Sequence, residues 1–78
     1  MSEITPDEQI DLKGLTCPMP LLKIKKQLKS MDSGKILCAV GTDPGTKNDI
    51  QKACDKDGHQ LLRIDEDNGV FSFFIKKG

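Results

Sequence analysis

Residues 18–40 have the sequence PMPLLKIKKQLKSMDSGKILCAV, in which two different patterns of apolar residues follow one another. The first part repeats its apolar residues every three or four positions, at Leu21, Ile24, Leu28 and Met31. This spacing predicts a helix with one buried face, which Leu22 would widen. Residues 36–40 are continuously apolar and too few for a helix, which predicts a central strand. Gly34 lies between them, where a left-handed residue would end the helix.

Sequence patterns on either side of this helix and strand predict four further elements, which makes six in all. Residues 9–12 alternate between polar and apolar, which predicts a first strand. A second helix follows the turn at 42–46 and is supported by Ile50, Ala53 and Cys54. It is capped either by Asp43, with Pro44 in the first turn, or by Thr46, with Asp49 three residues later. Gly58 ends it.

Two strands, 61–66 and 70–76, complete the chain and are joined by Asp67-Asn68-Gly69, a strong hairpin signal. Their best core residues are those expected to share a face: Leu62 and Ile64, and Phe71, Phe73 and Ile75. Right-handed crossovers place both helices on one face of the sheet. The predicted fold is α+β, a two-layer α/β sandwich of order β-α-β-α-β-β with a four-stranded mixed sheet. Its other face should be largely polar or cover a partner.

Composition limits the classes of function. The chain of 78 residues holds one domain, predicted at 9–78 behind a flexible lead-in at 1–8. Its 12 basic and 12 acidic residues balance, which argues against binding nucleic acid through net charge. No apolar run is long enough to span a membrane, and the acidic start does not resemble a signal peptide, so we expect a cytoplasmic protein. Three cysteines without a Cys-x-x-Cys pair, and one histidine, favour neither a disulfide framework nor a metal site; no cofactor is expected.

Cys17 is the residue that stands out chemically. The ends of the two parallel strands and the starts of both helices share one rim, where open α/β sheets bind ligands. The predicted rim residues are Lys13, Gly14, Thr16, Cys17, Thr42, Asp43, Gly45, Thr46 and Lys47. Because Cys17 precedes a proline, it is predicted to cap the first helix, with its sulfur accepting the Met19 N–H.

The helix dipole would lower the pKa of this thiol by up to about one unit. Lys13 would lower the pKa further, and Asp43 would oppose this if it were close. No general base can be assigned, since His59 falls at the far end of the second helix. A reactive sulfur without the rest of an active site favours a carrier over a stand-alone enzyme.

Cys17-Pro18-Met19-Pro20, with Gly14 three residues before the cysteine, closely resembles the Cys-Pro-x-Pro signature of the TusA/SirA-like sulfur carrier family. The turn at 41–44 and the strand at 71–77 are also similar. The resemblance implies that Cys17 holds a persulfide received from a cysteine desulfurase or a rhodanese-like protein. It also implies delivery to acceptor proteins in tRNA thiolation, molybdenum-cofactor metabolism or sulfur oxidation. Pro18, Met19, Pro20, Gly14 and Asp43 would support the site.

Two other functions stay open at this point. A thiol–disulfide redox or regulatory protein would need Cys17 to pair with Cys38 or Cys54, which are expected to be small buried residues. A nucleic-acid module would use the lysine face of the first helix (Lys23, Lys25, Lys26 and Lys29), but the chain has no Tyr or Trp for stacking. For the same lysines, a face that is merely solvated and a face that docks an acidic protein partner stay equally open.

Overall fold

The structure is a computed structural model that describes residues 5–16 and 19–78. Its helices and strands are β1 (Glu8–Leu12), α1 (Met19–Lys29), β2 (Ile36–Gly41), α2 (Thr46–Asp57), β3 (Gln60–Asp67) and β4 (Val70–Lys76). The four strands form one sheet in the order β1-β2-β4-β3, with β1 parallel to β2 and the other pairs antiparallel. This confirms the predicted element order and the mixed sheet, with β2 in its interior.

The core fills the space between the two helices and one face of the sheet. The helices contribute Ile24 and Leu28 from α1, and Ile50 and Cys54 from α2. The sheet contributes its buried residues Leu12, Leu37, Ala39, Phe71, Phe73 and Ile75. Alternate residues of a strand point to opposite faces, so these positions define the face covered by the helices. The two-layer sandwich and the predicted core of β4 are therefore confirmed.

The chain joins the sheet slightly earlier than predicted. Strand β1 begins at Glu8, and the N–H of Asp7 donates to the carbonyl oxygen of Ile36 at 2.7 Å. The Asp7 carboxylate accepts the Ile36 N–H in return, at 2.9 Å. These two bonds attach Asp7 to the start of β2, so the lead-in ends before residue 7 rather than at residue 8. Neither helix of the described residues is long and apolar enough to cross a membrane.

Helix α1 ends earlier than its apolar repeat. Its last residue is Lys29, and the N–H groups of Ser30 and Met31 bond back three residues, in a tighter turn. Gly34 has the positive φ of 90° expected of it, but it lies beyond this turn and does not cap the helix. The Lys77 ammonium instead donates to the carbonyl of Leu28 at 2.8 Å, where the negative end of the helix dipole favours a cation.

Neither predicted cap begins α2. The cap residue is Gly45, in helical conformation, and as a glycine it has no side chain to cap the helix. The Asp43 carboxylate accepts the N–H of Gly45 at 3.0 Å, and the Asp43 carbonyl accepts that of Thr46 at 3.2 Å. Asp43 therefore shapes the turn before the helix instead of capping it. The predicted end of the helix is confirmed, because Gly58 is left-handed with φ 78°.

Strand β3 contains an irregularity that the sequence did not predict. Its register against β4 shifts between Leu61 and Arg63, so Leu61 and Ile64 both pack against the core. The prediction that Leu62 shares the core face with Ile64 is wrong, because the extra residue of the bulge interrupts the alternation. The hairpin is confirmed, with positive φ at Asn68 (52°) and Gly69 (80°).

The face of the sheet opposite the helices is less polar than expected. Its central strands β2 and β4 place Ile36, Cys38, Val40, Val70 and Phe74 there. Of these only Cys38 is buried, and the others are half-buried. The charged residues of this face include Lys76 at the end of β4 and the exposed ion pair of Arg63 and Asp65 on the outer strand β3. Of the two alternatives predicted for this face, a largely polar surface is wrong for its centre, and a surface that covers a partner stays a prediction.

Candidate functional site

The predicted rim lies where β1 and β2 end. The two strands are parallel and end in register, with Leu12 beside Gly41. The loops that follow them are joined by a hydrogen bond from the Gly14 N–H to the Thr42 hydroxyl oxygen, at 3.1 Å. Cys17 and Pro18, the central residues of the predicted site, lie outside the described residues. The flanking residues define the setting in which the cysteine stands.

Gly14 forms a tight turn directly after β1. Its φ of 83° is unfavourable for any residue with a side chain, although a Cβ atom there would meet nothing within 4 Å. The turn is held by bonds from the Lys13 N–H to the Asp11 carboxylate (2.9 Å) and from the Leu15 N–H to the Leu12 carbonyl (3.1 Å). The requirement for glycine at position 14 is therefore conformational, because the turn after β1 needs a positive φ.

The start of α1 differs from the predicted hydrogen bonding. The Met19 N–H donates to the carbonyl oxygen of Thr16 at 3.0 Å. The prediction that this N–H is left for the Cys17 sulfur is therefore wrong, because the backbone of the preceding turn already accepts it. Pro20 is fully buried, whereas Met19 is 45% exposed. The two described residues of the motif thus have different roles: Pro20 packs the helix onto the core, and Met19 faces solvent.

On the α2 side of the rim, more residues than expected serve the turn or the core instead of facing solvent. Asp43 is half-buried and is used in the turn described above. Thr46 was predicted at the rim, but it is 3% exposed and so does not contribute an accessible hydroxyl. The Lys47 ammonium lies 5.9 Å from the centre of the Phe71 ring, within cation–π range. The accessible polar groups on this side are therefore those of the loop at 42–45 and Lys47.

The only histidine of the sequence lies away from the rim. Helix α2 starts at the rim and is 12 residues long, so His59 beyond its end is about 18 Å along the helix axis. There its Nδ1 atom accepts the N–H of Gly78 at 3.0 Å. His59 therefore lies at the end of α2 opposite the rim, where the sequence analysis placed it. Among the described residues, no group of three or more His, Cys, Asp or Glu side chains could hold a metal ion.

The other two cysteines are free and buried, as predicted. Burial raises the pKa of the Cys38 thiol, and the negative charge of Asp65 raises it further. Burial also raises the pKa of Cys54 to about 11, with smaller contributions from Asp55 and Asp57. Since the thiolate is the nucleophilic form, burial and a raised pKa make both side chains poorer nucleophiles near neutral pH than an exposed thiol. They also lie on opposite faces of the sheet, so they do not pair with each other.

An exposed apolar residue on α1 was missed by the sequence analysis. Leu22 was predicted to widen the buried face, but it is 53% exposed. It lies three residues after Met19 and four before Lys26, which places it on the solvent side of the helix. Counting the helical spacing from Met19, instead of from the buried residues, would have predicted that Leu22 is exposed.

Comparison with known proteins agrees with this geometry. Residues 8–77 match the family model described as sulfurtransferase TusA. The chain belongs to the TusA family. It is 39% identical to the sulfur carrier protein TusA of Pseudomonas putida strain GB-1, over 99% of this chain and 96% of that one. It is 41% identical to the Allochromatium vinosum protein of the same name, over 91% and 93%.

The fold of this TusA family member is also found in a solved structure. A SirA-like protein from Desulfitobacterium hafniense superposes with a TM-score of 0.79 and 28% identity. The match covers 91% of this chain and 97% of that one, so nearly all of both chains shares the fold. The resemblance predicted from the Cys-Pro-x-Pro motif is therefore confirmed at the level of both family and fold.

Proposed function

We propose that this protein is a cytoplasmic sulfur carrier in which Cys17 accepts a sulfane sulfur, holds it as a persulfide and passes it on. The donor is a cysteine desulfurase or a rhodanese-like protein, and the recipient is an acceptor protein of tRNA thiolation or another sulfur-trafficking route. Relatives that match almost the whole chain are named sulfur carrier proteins, which supports this role. The Cys-Pro-x-Pro motif of this sequence supplies the cysteine.

The transfer needs no cofactor or oxidant. The Cys17 thiolate attacks the outer sulfur of the donor's persulfide, R–S–SH. The new S–S bond forms on Cys17 as the S–S bond of the donor breaks, and the donor cysteine leaves as a thiolate, R–S⁻. In the second step an acceptor thiolate attacks the outer sulfur on Cys17 in the same way, and Cys17 leaves as a thiolate. Charge and oxidation state balance in each exchange.

The observation that carries the proposal is the contrast among the three cysteines. Cys38 and Cys54 are buried and have raised pKa values, so neither is suited to attack a persulfide. Of the three cysteines, only Cys17 follows the loop that contains Gly14. A hydrogen bond from the Gly14 N–H joins this loop to the neighbouring loop at the rim. The described part of this rim holds no histidine, which favours a carrier that exchanges sulfur with partners over an enzyme with its own turnover.

The experiment is sulfur loading followed by intact mass. The protein is incubated with a cysteine desulfurase and isotopically labelled L-cysteine, alongside Cys17→Ser, Cys38→Ala and Cys54→Ala variants. We expect a gain of one labelled sulfur atom in the unmodified chain and in both alanine variants, and none in Cys17→Ser. Equal loading of Cys17→Ser, or no loading of the unmodified chain, would contradict the proposal.

Counting free thiols distinguishes a sulfur carrier from the alternative, a thiol–disulfide redox protein. After mild oxidation, a carrier whose two other cysteines are buried retains them as free thiols in the folded state. An intramolecular disulfide between Cys17 and either of them, detected by peptide mapping, would instead support a thiol–disulfide function.

A further inference from the structure

The face of the sheet opposite the helices is used by neither the core nor the rim. We call it the open face. Its apolar centre lies on the interior strands and consists of Ile36, Cys38, Val40, Val70 and Phe74. Cys38 is buried and the others are half-buried, because side chains on neighbouring strands shield one another. Both helices pack on the other side of the sheet, so neither helix covers this apolar centre.

The charged residues of the open face are separated by sign along the strands. The acidic residues of this face lie toward the rim and are Asp11, Asp65 and Asp67. Arg63 lies in the middle of the face, beside Phe74, and Lys76 lies at the far end. Asp67 pairs with Val70, six residues before Lys76, so these two charges are about 20 Å apart along the strands. They are therefore too far apart to pair within one chain.

A second copy of the chain, turned end over end, brings these opposite charges together. The two copies stack open face to open face and are related by a two-fold axis that runs across the strands. Lys76 of each copy then lies over Asp67 of the other, beside Val70. In the same register Arg63 lies over Asp65. Stacked sheets are about 10 Å apart, which a long basic side chain and a carboxylate span together. A two-fold axis repeats each contact, so every pair of opposite charges forms twice.

The same arrangement covers the apolar centre. Cys38 of each copy lies over Val40 of the other, and Phe74 lies over Ser72. We propose that the open face is an interface between two copies of this chain, which form a face-to-face dimer of their sheets. The dimer goes beyond the proposed function and does not depend on it, since both helices stay on the outside.

The size of the open face sets the strength of this dimer. Four strands of about six residues cover about 20 by 20 Å, or about 400 Å². Stable complexes bury about 800 Å² on each partner, and smaller interfaces belong to weak or transient complexes. The dimer therefore forms reversibly: the chain is a monomer at about 10 μM and increasingly a dimer toward about 1 mM.

The charges of the open face favour a second copy over other occupants. Nucleic acids and anionic membranes attract basic surfaces, and the acidic end of this face repels both. A different protein would need its own matching arrangement of acidic and basic ends. A second copy supplies that arrangement from residues already present, because the face is complementary to itself.

The test measures association by sedimentation velocity, at concentrations from about 10 μM to about 1 mM. Every sample contains a reductant and carries Cys17→Ser, so this cysteine forms no disulfide between copies. The open-face variants are Lys76→Glu and Asp67→Lys, each alone and then mixed in equal amounts. Their matched controls are Lys52→Glu and Asp57→Lys, which make the same changes of charge at exposed positions of α2, on the opposite layer. Circular dichroism establishes that each variant is folded.

The expected result is a loss and a rescue. Each open-face variant alone should raise the dissociation constant by about tenfold or more, because two contacts per dimer then join like charges. The mixture should return to within about threefold of the unmodified chain, since both contacts of the mixed dimer again join opposite charges. The controls should stay within about twofold, alone and mixed. Phe74→Ala should also raise the dissociation constant by about tenfold, with no change of charge.

Three outcomes would overturn the proposal. One is a chain that stays monomeric at every concentration. Another is a dimer that the control variants weaken as much as the open-face variants do. The third is a loss in both single variants that the mixture does not rescue, because the opposed charges would then not meet. A monomer whose Lys76→Glu variant takes up sulfur more slowly from a cysteine desulfurase would assign the open face to the donor protein instead. Where Phe74→Ala does not fold, the charge variants alone decide.

Discussion

Helices α1 and α2 are nearly equal in length, at 11 and 12 residues, and both pack on the same face of the sheet. Each follows one strand of the parallel pair and buries one side against the core. Their solvent sides differ. The outer side of α2 mixes lysines with Asp55 and Asp57, and Gln51 bonds to Asp55 at 3.3 Å. That of α1 has lysines without acids, and two apolar residues.

The difference shows which features packing requires and which it does not. A helix on this sheet needs one apolar side, and both helices have it. Mixed charges on the outer side, as in α2, are typical of a helix that faces only water. The like charges and exposed leucine of α1 gain nothing from packing, and this is the helix that begins beside Cys17. The comparison therefore separates the residues of each helix that packing requires from those that it does not.

The prediction with the largest expected effect compares the buried sides of the two helices. Ile24 on α1 and Cys54 on α2 are 2% and 3% exposed. Replacing Ile24 with Ala removes three carbon atoms from the core and should lower the free energy of unfolding by about 2–5 kcal/mol. Cys54→Ala removes only a sulfur atom and should cost about 1 kcal/mol. Urea denaturation followed by circular dichroism measures both.

The outcome tests whether the two helices lose stability in proportion to the buried side-chain volume that each variant removes. Where Ile24→Ala does not fold, Ile24→Val, with an expected cost of about 0.5–1.5 kcal/mol, preserves the measurement. Equal costs for Ile24→Ala and Cys54→Ala would show that the two helices depend equally on these contacts, contrary to the expectation.

The sequence predicted the six elements and their order because their periodicities are regular, as in residues 18–40. It failed where the structure departs from periodicity. The bulge in β3 shifts Leu62 off the core face, and no residue type in that strand signals it. Helix α1 stops at Lys29 although Met31 continues the apolar repeat and is buried, since a buried residue can follow a helix as well as belong to it.

The candidate site was predicted in a similar way. The predicted rim followed from topology, because parallel strands bring their ends to one edge, and the bond between Gly14 and Thr42 joins the two loops there. That Cys17 stands at this rim stays a prediction. The bonding of the Met19 N–H could not be predicted, because a backbone carbonyl competes with any side chain for it. The burial of Thr46 likewise depends on how α2 sits on the sheet, which a local pattern does not specify.

A second prediction concerns how the stability of the folded chain depends on pH, and it tests α2 alone. The folded state raises the pKa of Cys54 from its ordinary value of 9.0 to about 11, mainly through burial. The folded chain therefore holds this proton more tightly than the unfolded chain. The resulting stability is fully present below about pH 9 and is lost as the pH rises to about 11. Two pKa units correspond to about 2–3 kcal/mol.

Chemical denaturation at several pH values between 8 and 11 measures this loss as the difference between the unmodified chain and Cys54→Ala. The variant has no thiol at this position, so its free energy of unfolding should fall less steeply over the window. Parallel curves for the two proteins would show that Cys54 ionises without a penalty in the folded state, and would contradict its burial beneath α2.

The smallest expected effect tests how the helices end. Helix α2 ends at Gly58, whose φ of 78° is left-handed, whereas the end of α1 is held by Lys77. Gly58→Ala should cost about 1 kcal/mol of unfolding free energy, although a Cβ atom there meets nothing within 4 Å. Gly45→Ala is the control at the other end of α2: its φ of −65° suits alanine, so the change should stay within about 0.5 kcal/mol. Thermal denaturation measures the stability of both variants. Equal costs for Gly45→Ala and Gly58→Ala would show that the loss of stability comes from helix propensity or side-chain contacts and not from the left-handed cap.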